Sequence, residues 1–289
     1  MDSQNASITV KRLAGALGAE IDGIDLAAPG YDNIFPDIHQ AFLDHAVLVV
    51  RKQQLAPDRL VAFSKKFGPL EAHVLESFNL QENPEVLIIS NVKEDGKPIG
   101  AINAGQYWHS DLSYMQHPTH ASLLHALEVP SYGGDTMFTS MTQAYDELSD
   151  AMKGFLDGLT AVHDYTNAYD TFFCDIPDRP PLSDEVKAKV PPVTHPVIRT
   201  HPETGNKAIF INPGFTRRIK ELTAGESREI LDFLFTHCQQ PHLIYRHSWA
   251  PGDLVIWDNR CTCHLAVADY DMNERRHLIR TSVEGDIPA

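Results

Sequence analysis

Short runs rich in β-branched and aromatic residues recur along the chain and are separated by proline, glycine and asparagine. Runs of this length with turn residues between them are typical of an all-β sandwich or barrel. The predicted strands are residues 46–50, 86–90, 121–129, 195–200, 208–212, 243–247, 254–257 and 277–283. The pattern therefore predicts a mainly β fold, with a smaller number of helices between the strands.

Four segments carry apolar residues at helical spacing and are predicted to be helices: 33–43, 58–67, 144–156 and 230–235. Ser140 with Gln143, and Thr223 with Glu226, each predict a capping box ahead of the last two segments. The region near 166–192 is dense in proline and aspartate and is predicted to be an irregular insertion or a lid. No composition change marks a boundary, so residues 1–289 are expected to form a single domain.

Charge and hydropathy exclude several classes of partner. The formal charge of −15 would repel a nucleic acid, and no apolar stretch approaches the roughly 20 residues that span a bilayer. The first residues lack a secretory signal, so we expect a cytoplasmic location.

The 4 cysteines are too scattered for a disulfide framework. Cys261 and Cys263 precede a histidine, but a zinc site would need a second ligand pair at suitable spacing.

Two histidines and an aspartate are the candidate ligands of a metal ion. His109 and Asp111 are two residues apart, and residues so spaced in an extended segment share a face. His264, which follows the predicted strand 254–257, is the candidate third ligand. Such a set suits iron(II) in oxygenases, because it leaves positions for a chelating co-substrate and dioxygen. The same ligands would also suit a non-redox isomerase or hydrolase of the cupin type.

Four motifs in this chain resemble those of the taurine dioxygenase and 2,4-dichlorophenoxyacetate dioxygenase family, in the same order and near the same spacing. They are Trp108-His109-Ser110-Asp111, Gly133-Gly134-Asp135-Thr136, Trp257-Asp258-Asn259-Arg260 and Arg275-Arg276-His277-Leu278-Ile279-Arg280. The resemblance implies a double-stranded β-helix, or cupin-like jelly roll, with flanking helices. It also implies an Fe(II)- and 2-oxoglutarate-dependent dioxygenase that uses O2 to hydroxylate a small organic acid, while 2-oxoglutarate becomes succinate and CO2.

The resemblance further implies roles for individual residues, beginning with iron binding by the three candidate ligands. Arg280 and Thr136 match the family's arginine and hydroxyl that hold the distal carboxylate of 2-oxoglutarate. A guanidinium suits this role because it can form two parallel charge-assisted hydrogen bonds with a carboxylate. Arg276 matches a second family arginine near the metal pocket. The retained carboxylate of Asp111 favours hydroxylation, because halogenating relatives lack it.

Four residues are expected to contact the substrate. His73 resembles the histidine that meets the sulfonate in the taurine enzyme, and Phe215 and Tyr169 resemble aromatic pocket walls. Glu76 replaces a tyrosine or lysine of the two named enzymes, and its charge would repel an anion bound there. The expected substrate is therefore a small sulfonate or carboxylate with a basic or neutral second group, cleaved where the hydroxylated carbon carries a heteroatom. A homo-oligomer, dimer or tetramer, is also expected.

Overall fold

The computed structural model describes residues 8–28, 30–72, 78–102, 105–172 and 182–289. The strands are β1 (Thr9–Arg12), β2 (Ala19–Asp22), β3 (Val47–Val50), β4 (Leu70–Glu71), β5 (Val86–Ser90), β6 (Lys93–Glu94), β7 (Lys97–Pro98), β8 (Thr119–Glu128), β9 (Thr136–Ser140), β10 (Thr160–His163), β11 (Val193–Pro196), β12 (Ile198–Thr200), β13 (Lys207–Ile209), β14 (Thr216–Ile219), β15 (Ile244–His247), β16 (Leu254–Asp258), β17 (Thr262–Ala266) and β18 (His277–Glu284). The helices are α1 (Phe35–His45), α2 (Pro57–Ser64), α3 (Met141–Asp146), α4 (Asp150–Leu156), α5 (Thr166–Phe172), α6 (Asp184–Lys189) and α7 (Ala224–Cys238). The expectation of a mainly β fold with flanking helices is confirmed.

The largest sheet has eight strands in the order β1-β2-β3-β16-β8-β18-β4, with β5 also paired to β18. Among the strands that the structure describes in this sheet, β2 and β3 are the pair that runs parallel. Its strand β3 is apolar at all four positions because both faces of the sheet are covered there. In β3, for example, Val47 and Val49 enter one apolar cluster, and Leu48 and Val50 enter another on the opposite face.

A second layer is formed by the three-stranded sheet β15-β9-β17. Phe138 of β9 and Tyr245 of β15 share an apolar cluster with Leu124 and Trp257 of the large sheet, so the two sheets pack face to face. Helices α1 and α2 cover the outer face of the large sheet, and α3, α4 and α7 cover that of the smaller one. The space between the sheets is where β17 places His264.

Several observed elements differ from the predicted ones, and helix capping or strand pairing explains the differences. The predicted strand 195–200 is two strands, since β11 pairs with β10 and β12 pairs with β13. The predicted helix 144–156 is also two, because Ser149 caps a new start by accepting from the amide of Met152. The capping box of Thr223 is confirmed and begins a helix longer than predicted. At Ser140 only the hydroxyl half forms, since Gln143 bonds Glu147 instead.

The predicted insertion near 166–192 contains two helices in its described part, α5 and α6. Residues 173–181 lie outside the described residues, so the lid stays a prediction. Within the described ranges, no helix is both long and apolar enough to cross a membrane.

A buried ion pair holds the turn between β16 and β17. Arg260, which is 4% exposed, donates from Nε and Nη2 to the two carboxylate oxygens of Asp258, at 2.8 and 2.6 Å. Asp258 also contacts His201 Nε2 at 3.0 Å, and Arg260 Nη1 reaches Glu203 at 2.6 Å. The ion pair therefore fixes the backbone of the turn that precedes β17, the strand that carries His264.

We expect Arg260→Leu to lower the free energy of unfolding by about 3–5 kcal/mol, because it leaves the Asp258 carboxylate buried without its cation. Chemical denaturation measures the change. Arg275→Leu is the matched control, since Arg275 forms a paired contact with Glu128 on the exposed surface and should have little effect. Equal losses in the two variants would contradict the importance of the buried pair.

Candidate active site

His109, Asp111 and His264 lie together, as the sequence predicted. All three are buried and their ligand atoms lie within 4.8 Å of one another. His109 forms an isolated antiparallel bridge with His264, with backbone N–H···O distances of 3.0 and 2.8 Å. Asp111, however, begins a turn in which Leu112 has a φ of 51°. The extended segment therefore includes His109 and ends where the turn begins at Asp111, and the two side chains converge as expected.

The imidazoles present free nitrogens to the carboxylate. His109 Nδ1 lies 2.8 Å from the carbonyl oxygen of Tyr107 and donates to it, which leaves the Nε2 lone pair unprotonated. Nε2 of His109 is 3.7 Å from Asp111 Oδ1, and Nε2 of His264 is 3.8 Å from Asp111 Oδ2. Ligand atoms about 2.0–2.2 Å from one ion can be separated by these distances. Burial lowers the pKa of both histidines and so favours the neutral, metal-binding form.

The Asp111 carboxylate is held by hydrogen bonds on both oxygens. Ser122 Oγ donates to Oδ2 at 2.7 Å, and Arg280 Nη1 donates to Oδ1 at 2.7 Å. Burial alone would raise the pKa of Asp111, but the positive charge of Arg280, with contributions from His264 and His109, holds that pKa well below its usual range. The group is therefore a carboxylate in the folded protein.

Asn259 links the carboxylate to the turn after β16. Its Oδ1 accepts from the amide of Asp111 and from Trp257 Nε1, both at 3.0 Å, and its Nδ2 donates to Ser122 Oγ at 3.0 Å. The sequence analysis identified Asn259 only as part of a family motif, and it did not identify Ser122. The only signal of Ser122 in the sequence is a small polar residue within the apolar run of β8, which does not reveal its partner.

The two arginines occupy different surroundings. Arg280 forms an ion pair with Asp111. Arg276, which is 8% exposed, donates from Nε and Nη2 to the carbonyl oxygen of Gly134 at 3.3 and 3.2 Å, and forms no ion pair with any described residue. Burial lowers the pKa of Arg276.

The Oγ1 of Thr136 accepts from Trp249 Nε1 at 3.0 Å. One cavity is lined by Ile89, Gly105, His109, Leu124, Thr136, Trp257, His264, Ala266, Arg276 and Arg280.

An aromatic cluster adjoins His109 on one side. The ring of Phe215 lies 6.0 Å from that of His109, 4.7 Å from Tyr114 and 6.1 Å from Tyr165. Tyr169 contacts Tyr165 at 5.8 Å, one ring further from the metal cluster. The structure therefore places Phe215 beside His109, and Tyr169 is linked to Phe215 through the ring of Tyr165. Sequence reasoning missed Tyr114, and the expected contacts His73 and Glu76 lie outside the described residues.

His201, Asp258 and Cys261 form a second group of potential ligands. Both oxygens of Asp258 already accept from Arg260, so this group is better described as part of the buried ion pair. Cys263 lies in the apolar cluster beneath α3 and α7, on the opposite face of β17 from its neighbour His264. Cys263 therefore faces away from the metal cluster.

The fold and the histidine–carboxylate cluster point to a metal-dependent enzyme, and comparison with known proteins identifies its family. The chain matches the family described as taurine catabolism dioxygenase TauD, TfdA family over residues 9–282. It is 34% identical to alpha-ketoglutarate-dependent 2,4-dichlorophenoxyacetate dioxygenase from Cupriavidus pinatubonensis, covering 97% of this chain and 99% of that protein. It is also 34% identical to pentalenolactone F synthase from Streptomyces avermitilis, covering 98% and 96%.

Solved structures agree with these sequence relatives. A crystal structure described as a putative alpha-ketoglutarate-dependent taurine dioxygenase from Burkholderia xenovorans matches with a TM-score of 0.82 and 32% identity, over 98% of this chain and 94% of that chain. The structure of AAD-2 in complex with Mn(II) and N-oxalylglycine matches with a TM-score of 0.80 and 30% identity, over 97% and 98%. The chain belongs to the TauD/TfdA family. It is a dioxygenase that depends on Fe(II) and 2-oxoglutarate.

We expect Ser122→Ala to weaken metal affinity by about 10-fold or more, because Asp111 loses a hydrogen bond that orients its carboxylate. Anaerobic equilibrium dialysis against Mn(II) or Fe(II) measures the dissociation constant. Ser227→Ala is the matched control, since Ser227 is as buried but bonds the amide of Ile219 in another part of the fold. Unchanged affinity in Ser122→Ala would show that the serine does not orient Asp111.

Proposed function

We propose that His109, Asp111 and His264 hold the Fe(II) of an enzyme that hydroxylates a small organic acid. The observation that carries this proposal is the buried cluster of two neutral imidazoles and one ionised carboxylate next to two buried arginines. When bound, iron and 2-oxoglutarate together supply the activation of O2, with release of succinate and CO2. Two histidines and one carboxylate on one side of an ion form the donor set that suits this chemistry. The family favours this reaction over the non-redox isomerase or hydrolase.

We assign the distal carboxylate of 2-oxoglutarate to Arg276 with Thr136, which exchanges the arginine roles expected from the sequence. Arg276 is buried and has no carboxylate partner among the described residues, whereas Arg280 already bonds Asp111. A buried guanidinium without an anion is unfavourable, so a ligand carboxylate would stabilise it. Arg276 is anchored at Gly134, two residues before Thr136 on the same segment. Both side chains also line the same cavity.

Arg280 lies on the side of the cavity where Asp111 is, and we propose a role for it there. Its charge keeps Asp111 ionised, and its Nε is buried without a hydrogen-bond partner in the part of the chain that the structure describes. A guanidinium with a spare donor can bind a further anionic oxygen. We therefore expect Arg280 to contact an acidic group close to the iron, on the substrate or on the keto-acid end of 2-oxoglutarate.

We also propose that the two facing sheets form a double-stranded β-helix and that residues 1–289 are one domain. The large sheet supports the single domain, because it joins β1 near the start of the chain to β18 near its end. The bridge between His109 and His264 lies where segments from both halves of the chain meet. A homo-oligomer in the cytoplasm completes the proposal, and sedimentation velocity would distinguish a dimer or tetramer from a monomer.

The proposed substrate is a small sulfonate or carboxylate with an apolar body. Curated relatives include enzymes named for 2,4-dichlorophenoxyacetate, for (S)-phenoxypropionate and for sulfonates. In this chain, the ring of Phe215 lies next to His109 and is backed by Tyr114, which favours an acid whose apolar part can pack against Phe215. Hydroxylation of a carbon that carries oxygen or sulfur would then release the acid as fragments.

For co-substrate binding, we expect Arg276→Gln to raise the dissociation constant of 2-oxoglutarate by about 10-fold or more, because a buried charged hydrogen bond is lost. The constant for 2-oxopentanoate, in which a methyl group replaces the distal carboxylate, should change little. The visible absorption of the iron–keto acid chelate, titrated without oxygen, reports both. Arg280→Gln is the comparison and should affect the two keto acids alike. A selective loss in Arg280→Gln instead would restore the roles expected from the sequence.

For substrate recognition, we expect succinate release to rise with an aryloxy acid, and Phe215→Leu to lower kcat/KM for that acid by about 10-fold. Phe210→Leu is the matched control, because Phe210 is equally buried but stacks on His163 rather than on His109. An alkyl sulfonate of similar size is the comparison substrate. Equal losses for both substrates in Phe215→Leu would remove the aromatic wall from the specificity argument.

A further inference from the structure

The hydroxyl of Thr136 is polarised by a neighbour that sequence reasoning left without a role. Trp249 Nε1 lies 3.0 Å from Thr136 Oγ1. An indole N–H can only donate, and a threonine hydroxyl has one proton and two acceptor lone pairs. The oxygen of Thr136 is therefore the acceptor in this bond. Its proton has no protein acceptor among the residues described here, so it is free to donate to a group in the cavity that Thr136 lines.

The segment that carries Trp249 is held against Asp135 and Thr136 by strand pairing, hydrogen bonds and a ring contact. In the pairing of β15 with β9, His247 lies opposite Thr136. Arg246 Nε and Ser248 Oγ donate to the two oxygens of Asp135, at 2.6 and 2.8 Å. The ring of His247 meets that of Trp249 edge to face, at 4.5 Å and 88°. These contacts fasten the segment that carries Trp249 to the strand that carries Thr136.

We propose that Trp249 is a positioning residue for co-substrate binding, because its N–H fixes the Thr136 hydroxyl as a donor to the distal carboxylate of 2-oxoglutarate. This inference rests on the proposed function, which assigns that carboxylate to Arg276 and Thr136. Trp249 is not among the described residues that line the cavity, so its effect must pass through Thr136. A hydrogen-bond donor to a hydroxyl also strengthens the bond that the hydroxyl donates.

The test is a double-mutant cycle on 2-oxoglutarate affinity, measured by anaerobic titration of the Fe(II)-loaded protein through the visible absorption of the chelate. We expect Trp249→Phe to raise the dissociation constant about 3- to 10-fold, and Thr136→Val to raise it by a similar factor. In the Thr136→Val background, Trp249→Phe should have no further effect, because no hydroxyl is left to position. In the Thr136→Ser background, which keeps a hydroxyl, the effect of Trp249→Phe should persist.

2-Oxopentanoate provides the control for a merely structural role. Since it has no distal carboxylate, its affinity should not respond to Trp249→Phe if the indole acts through Thr136. An equal loss for both keto acids, an additive effect in the Thr136→Val background, or no effect in Trp249→Phe would each overturn the inference. Should Trp249→Phe fail to fold, Trp249→Met replaces it, since methionine fills irregular apolar space and has no N–H donor.

The same cycle separates this inference from the proposal on which it rests. If Thr136→Val leaves 2-oxoglutarate affinity unchanged, the assignment of the distal carboxylate to Thr136 is wrong, and the role of Trp249 is overturned with it. If Thr136→Val weakens binding and Trp249→Phe does not, the assignment stands and only the role of Trp249 is overturned.

Discussion

The buried negative charge of Asp111 is the constraint on which the rest of the site depends. A carboxylate out of water is unfavourable unless cations and hydrogen-bond donors surround it. Here a guanidinium from β18 and a hydroxyl from β8 reach its oxygens, and the turn after β16 binds its backbone amide. Three neighbouring strands of one sheet therefore converge on a single side chain. Moving any one of these strands would remove one of the contacts that stabilise that charge.

The two-layer packing explains why this convergence is possible. Alternate residues of the large sheet fill either the outer core beneath α1 and α2 or the inner core against the smaller sheet. Polar residues such as Ser122 of β8 and Arg280 of β18 lie among the apolar residues of these strands and contact Asp111 of the metal cluster. The strands thus supply both the hydrophobic core and the polar residues of the site, and the buried ion pair of Arg260 secures the turn that joins the two layers.

Much of this architecture could be predicted from the sequence, because local apolar patterns predict strands and spaced motifs predict ligands. The proposed ligands His109, Asp111 and His264 were predicted in this way, and the structure brings them together. The roles proposed for Arg276 and Arg280 could not be predicted, since they depend on which guanidinium meets Asp111 across the sheet, and nothing in the spacing of the arginines reveals that. Trp249 was missed for a similar reason: its partner, Thr136, lies on a strand more than a hundred residues away in the chain.

The hydrogen bonds to Asp111 also bear on how many coordination positions its carboxylate can fill. With Ser122 on one oxygen and Arg280 on the other, each oxygen has a lone pair already engaged by the protein. Bidentate coordination of an ion by both oxygens would compete with the hydrogen bonds from Ser122 and Arg280 at once. The carboxylate is thus predisposed to act as a one-point ligand. An octahedral ion bound by this carboxylate oxygen and two imidazoles would keep half of its coordination positions for exchangeable ligands. The hydrogen bonds that orient the aspartate would therefore also keep those positions open for the co-substrate and O2.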